Sequence, residues 1–186
     1  LEHRYDYYKE AITQIFKALG TDLKKIEFVQ GSEFQLKPEY AFDTLKMASI
    51  TSVNDCKRAA SEVVKFGDNP KTGGLIYPIM QALDEHYLEV DVQFGGTDQR
   101  KIFMFARENL PKLMHHARVE VMNPMIPGLI GKKMSASIPK TKIDLTDSEK
   151  GIKEKINSAE CVEGDPNNGV MAFLKYVIMV IKEDEK

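Results

Sequence analysis

Tyr77, Gln81 and Asp84 stand at i, i+4 and i+7, so on a helix advancing about 100° per residue they share one narrow arc. Ile76, Ile79, Met80, Leu83 and Tyr87 mostly occupy other faces. Such a polar stripe has two readings. It is a solvent face, or it is a pocket wall for an aromatic amino acid, with a carboxylate accepting a phenol and amide and phenol groups meeting an ammonium. Gly95-Gly96, followed by Thr97-Asp98-Gln99, forms a junction where absent side chains admit a ligand to the backbone and a helix start favours negative charge. A carboxylate just past the glycines suits ribose hydroxyls; a tight turn with Asp98 as helix cap is the plainer alternative. Gly131-Lys132-Lys133-Met134-Ser135-Ala136-Ser137 pairs lysines with hydroxyls in a loop, a set that screens a triphosphate under attack or is merely a solvated basic loop.

Three lookalikes carry less. Gly128-x-x-Gly131-Lys132 lacks the four-residue glycine spacing of a Walker loop and the hydroxyl residue after its lysine. Lys46-Met47-Ala48-Ser49 falls in an expected helix with Met47 at core spacing. His115-His116 has no partner at metal-ligand spacing, and His3 and His86 are isolated, so no metal site built from protein ligands is expected.

The positioning elements follow from periodicity. Helices are predicted over 5–19, where Gly20 suits a left-handed cap, over 38–47, and from Asn54 or Asp55 to about 66. A loop over 67–74 leads to a helix over 77–87 with Pro78 in its first turn. Strands are predicted over 26–29, 88–94 and 119–122, and an amphipathic helix capped by Thr97 or Asp98 precedes Pro111. Two more helices, over 148–159 and 168–181, close the chain. Alternating strands and helices imply an α/β sheet with crossover connections, and the last two helices a helical appendage. The expected division is 1–145 and 146–186.

Composition narrows the rest. With 186 residues and 42% hydrophobic content the chain can bury a core. A net charge of −2 offers no global attraction to phosphate backbones, so any nucleic acid must meet a local basic patch. The lysines between Lys140 and Lys155 alternate with acids, the pattern of a mixed solvated face. The two cysteines have no paired spacing, which fits a reducing cytoplasm, and neither a membrane helix nor a secretory leader is read from the sequence.

Taken in order, Tyr77-Pro78-Ile79-Met80-Gln81-Ala82-Leu83-Asp84, Val90-Asp91-Val92-Gln93-Phe94-Gly95-Gly96-Thr97-Asp98-Gln99-Arg100-Lys101, Met122-Asn123-Pro124-Met125-Ile126-Pro127-Gly128-Leu129 and Lys133-Met134-Ser135-Ala136-Ser137 resemble the tyrosyl-tRNA synthetases of the archaeal and eukaryotic cytosolic branch. The resemblance implies the second half of a Rossmann-like class I catalytic domain, followed by the start of an α-helical anticodon-binding domain. It implies activation of tyrosine by ATP, carried with Mg2+ as a substrate complex, then transfer to tRNA(Tyr) by a cytoplasmic homodimer. By resemblance Asp84 meets the substrate phenol, and Tyr77, Gln81 and Gln99 hold its α-amino end. Gly95, Gly96 and Asp98 meet the nucleotide, and the backbone at Met125 and Ile126 lines the adenine. Lys133, with Ser135 and Ser137, stabilises departing pyrophosphate, and Lys133 and Met134 count among the ATP-binding residues. Three departures go with it. The family's first βα unit, with its HIGH-type motif, has no counterpart before Leu1. Ala136 replaces the second lysine of KMSKS, as in many eukaryotic members. The chain stops at Lys186, where relatives continue. A fragment acting only as a binding module, or a tryptophan-specific relative, are the alternatives.

Overall fold

The computed structural model describes residues 2–131, 134 and 138–184, which pack as two units. One unit is Val29–Met125, and the other joins Leu1–Phe28 to Ile126–Lys186.

In the second of these, helix α1 (Glu2–Ala18) ends where Gly20 turns left-handed at φ +70°, and the Thr21 N–H reaches back to the Phe16 carbonyl at 2.9 Å. The stretch 26–29, expected as a strand, pairs with no other segment among the described residues. A strand exists through its ladder, and loose alternation over four residues carries no information about a partner.

In the unit Val29–Met125, α2 (Ser32–Gln35) and α3 (Pro38–Ile50) lead to α4 (Val53–Ala60). Ser52, not Asn54 or Asp55, caps α4: its hydroxyl accepts the Asp55 N–H, and the Asp55 carboxylate accepts the Ser52 N–H in return. Helix α5 (Thr72–Tyr87) begins five residues before the expected start. Gly74 looks like a turn former in sequence, yet a Cβ there would lie 3.2 Å from the Phe66 ring and 3.3 Å from Val64, so its smallness serves packing inside a helix. Pro78 therefore sits in the helix interior, where it has no N–H to offer the Gly74 carbonyl four residues before it.

Strand β1 (Val92–Gly96) starts later than expected because Glu89, at φ 52°, is still turning the chain out of α5. It pairs in parallel with β2 (Val119–Asn123), from Val92 opposite Val119 to Gly96 opposite Asn123, and α6 (Arg100–Asn109) makes the crossover. Tyr40, Met47, Leu83, Ile102, Phe103 and Leu110 are almost wholly buried, each contributing about 1.5–3 kcal/mol.

In the other unit Ser148 caps α7 (Glu149–Asn157) and Asn168 caps α8 (Gly169–Phe173), which continues through a wider helical turn at Leu174–Ile178 into α9 (Met179–Asp184).

Glu85 on α5 is 1% exposed, and neither carboxylate oxygen has a hydrogen-bond partner among the described residues. Burial first, then the Glu120 carboxylate and, more weakly, Asp84, push its pKa from 4.5 to about 7, opposed by Arg118. Between those two pH values the folded chain binds more protons than the unfolded one, so stability falls as pH rises through the window and levels off above it. The loss amounts to about 3 kcal/mol. Glu85→Gln removes the titration, and urea unfolding from pH 4.5 to 8 is expected to show the variant gaining on the parent by about that amount.

Candidate active site

The stripe on α5 faces a cleft of about 430 Å³ lined by Tyr77, Met80, Gln81, Asp84, Gln99 and Gln35. Tyr77 and Asp84, seven residues apart, are separated by roughly 10 Å along the axis, long enough for an aromatic amino acid lying against the helix. Asp84 Oδ1 accepts the Tyr40 hydroxyl at 2.7 Å and the Gln35 side-chain amide at 2.9 Å. No hydrogen bond to Oδ2 occurs among the described residues. Gln81 donates its amide to Gln99 Oε1 at 3.0 Å, and its own Oε1 is buried with no hydrogen-bond partner among the described residues. A buried amide oxygen without a donor costs about 1–3 kcal/mol until one arrives. The cleft thus holds an open carboxylate oxygen and, one helical turn away, an orphaned acceptor paired through its amide with Gln99, with half-exposed Tyr77 a further turn along α5. That polarity fits a hydroxylated ring at one end and an ammonium at the other. Gln35 and Tyr40 lie 49 and 44 residues before Asp84, and nothing in their spacing ties them to it.

Both glycines of Gly95-Gly96 belong to the end of β1. A Cβ on Gly95 would stand 2.8 Å from the Phe103 ring, and one on Gly96 would stand 2.7 Å from the Asp98 carboxylate and 3.3 Å from the Met125 sulfur. These positions therefore need glycine because the protein's own side chains fill the space, whereas the sequence suggested room for a ligand. The turn Thr97–Gln99 then enters α6 without a side-chain cap, so Asp98 is no helix cap. Its carboxylate has no partner among the described residues and lies beside Gly96 and Met125, where it can accept from hydroxyl groups.

The family model of the class I tRNA synthetases for W and Y matches residues 1–186. The chain belongs to this family. It is 50% identical over 185 residues to the cytoplasmic tyrosine–tRNA ligase of Saccharomyces cerevisiae, covering 98% of this chain and 47% of that protein. A probable cytoplasmic tyrosine–tRNA ligase of Enterocytozoon bieneusi is 51% identical over 178 residues, covering 96% and 52%. The crystal structure of tyrosyl-tRNA synthetase from Archaeoglobus fulgidus, complexed with L-tyrosine, superposes with a TM-score of 0.84 at 42% identity, over 94% of this chain and 53% of that one. The fold is that of a class I synthetase catalytic domain, and the chain spans about half the length of these relatives.

Within this class I synthetase chain the KMSAS residues Lys133, Ser135 and Ser137 lie outside the described residues; Met134 is described and 37% exposed. Residues on either side of the motif are tied down. Gly131, left-handed at φ +73°, donates its N–H to the Glu160 carboxylate at 2.8 Å. The Leu129 N–H reaches the Thr141 carbonyl at 2.9 Å, and the Glu160 N–H reaches the Leu129 carbonyl at 2.8 Å. Met125 and Ile126, adjacent in sequence, fall in different units.

Proposed function

We propose that this chain carries most of the amino-acid pocket and part of the nucleotide site of a tyrosine–tRNA ligase. The observation that carries the reading is the pairing, within one cleft, of an Asp84 oxygen lacking a donor among the described residues with the orphaned Gln81 acceptor one helical turn away. Tyrosine lies along α5, its phenol donating to Asp84 and its ammonium to Gln81, Gln99 and Tyr77. ATP enters with Mg2+, its ribose hydroxyls donating to Asp98 beside Gly95 and Gly96, its adenine against the backbone at Met125 and Ile126. The tyrosine carboxylate attacks the α-phosphorus, the bond to the β-phosphate breaks, and pyrophosphate leaves with its charge met by Lys133, Ser135 and Ser137 of the KMSAS loop, in which Met134 belongs to the ATP-binding set. A hydroxyl at the 3′ end of tRNA(Tyr) then takes the tyrosyl group, releasing AMP.

Other features of the chain bear on the whole enzyme. A further cleft of about 470 Å³ mixes Arg58, Arg100 and Lys101 with Asp55 and Glu108, and Arg58 and Lys101 are paired with Asp55 and Glu62, so tRNA(Tyr) has to be met by other groups of the whole enzyme. Leu36, Phe42, Leu45, Ile50 and Val53 are exposed large apolar side chains on or beside α3, a surface suited to a homodimer. The relatives' cytoplasmic names extend here to a cytoplasmic enzyme. We assign 1–145 to the catalytic domain and 146–186 to the helical segment leading into an anticodon-binding domain.

Thermal unfolding with a non-hydrolysable tyrosyl-adenylate analogue tests the reading, with the tryptophanyl analogue as control. Ligand at 100 times Kd stabilises by about 2.7 kcal/mol, a rise of roughly 5–10 °C for a domain of this size. A rise with the tyrosyl compound alone is expected. Equal rises overturn the tyrosine assignment, and no rise in either this chain or the full-length polypeptide favours a binding module without catalysis.

A further inference from the structure

Both donors that Asp84 meets converge on one of its oxygens. Tyr40 on α3 and Gln35 at the end of α2 each bond Oδ1, at 2.7 and 2.9 Å, and Oδ2 has no donor among the described residues. One donor leaves a carboxylate free to swivel about it, whereas two donors from separate elements fix its plane and therefore the direction of the other oxygen. Neither donor is free to follow a moving carboxylate. Tyr40 is 1% exposed and wedged between the Phe34 and Tyr87 rings, with centroids 5.8 and 4.9 Å away. Tyr87 is itself anchored on Asp43 at 2.9 Å, and the Tyr40 hydroxyl also lies 2.8 Å from the Met80 carbonyl. The Gln35 amide is seated over Gly31, where a Cβ would come within 3.0 Å of its Oε1. Burial, and then the Asp84 carboxylate, hold the Tyr40 phenol well above its ordinary pKa, so it remains a donor across the neutral range.

We propose that Tyr40 and Gln35 are specificity-determining positioning residues, saturating Oδ1 so that, of the two Asp84 oxygens, Oδ2 is the one left to read the para-hydroxyl of the amino acid. The inference rests on the tyrosine reading of the cleft. With Oδ1 occupied and the carboxylate unable to turn away, phenylalanine leaves Oδ2 desolvated without a donor, and that loss falls on the amino acid lacking the hydroxyl. Neither residue needs to touch the reacting atoms.

The test compares tyrosine with phenylalanine in ATP–pyrophosphate exchange by the full-length polypeptide carrying Tyr40→Phe or Gln35→Leu. The ratio of kcat/KM for the two amino acids is expected to fall at least tenfold in each variant, mostly through a raised KM for tyrosine. A ratio within twofold of the parent's, or an equal loss with both amino acids, would mean a merely structural role and overturns the proposal. Should Tyr40→Phe fail to fold, Gln35→Leu, at a half-buried site, decides by the same ratio. A parent protein that exchanges with neither amino acid overturns the functional reading instead, a separate result because no variant is involved.

Discussion

Asp84→Ala is expected to lower kcat/KM for tyrosine activation by about 10²- to 10³-fold without lowering it for phenylalanine, which no longer strands a desolvated carboxylate oxygen. Removing one partner of a desolvated, charge-assisted hydrogen bond costs about 2–5 kcal/mol, and each 1.4 kcal/mol is tenfold. The phenol lies far from the phosphate under attack, so its contact is present in both the bound and the transition state. The loss is therefore expected in KM, with kcat nearly constant. Alanine also strands the Tyr40 hydroxyl and the Gln35 amide, although Tyr40 retains the Met80 carbonyl at 2.8 Å. A stability loss of about 1–3 kcal/mol accompanies the change, so activity is to be normalised to folded protein by a unfolding curve. Steady-state exchange kinetics with both amino acids provide the check. An unchanged preference for tyrosine would exclude Asp84 as the group that reads the phenol.

Gly169→Ala is expected to be the most damaging small substitution for stability. A Cβ at Gly169 would lie 2.1 Å from the Gly128 carbonyl oxygen and 3.0 Å from that of Pro127, and both obstacles are backbone. No rotamer relieves such a clash, so α8 must move away from 127–128, at a cost of about 3 kcal/mol. Thermal unfolding should show a Tm lower by roughly 6–12 °C. Gly164→Ala is the control: its φ of +81° is strained for alanine, yet its Cβ meets nothing within 4 Å, so a smaller loss of about 1 kcal/mol is expected. Equal effects from the two substitutions would show that the close approach at Gly128 contributes nothing.

Local patterning accounts for much of what was legible. Tyr77, Gln81 and Asp84 share a face because helical geometry puts i, i+4 and i+7 together, whatever surrounds them. The β1–α6–β2 crossover was legible for the same reason, since each element writes its own period into the chain. Boundaries were read less well. Gly73-Gly74 resembles a turn, and only the approach of Phe66 and Val64 shows why a helix runs through it.

The sequence by itself determined which helix face carries the polar stripe, which strand ends in two glycines, and how the ordered motifs resemble a synthetase. Only the tertiary structure decided that Gln35 and Tyr40 close on one oxygen of Asp84, that Gln81 spends its amide on Gln99, and that Glu85, next to the stripe, is buried with no hydrogen-bond partner among the described residues. The reason is physical. A residue's neighbours along a helix follow from a repeat of 3.6, whereas contacts between residues 18, 44 or 49 apart depend on how whole elements pack, and no local period encodes that distance.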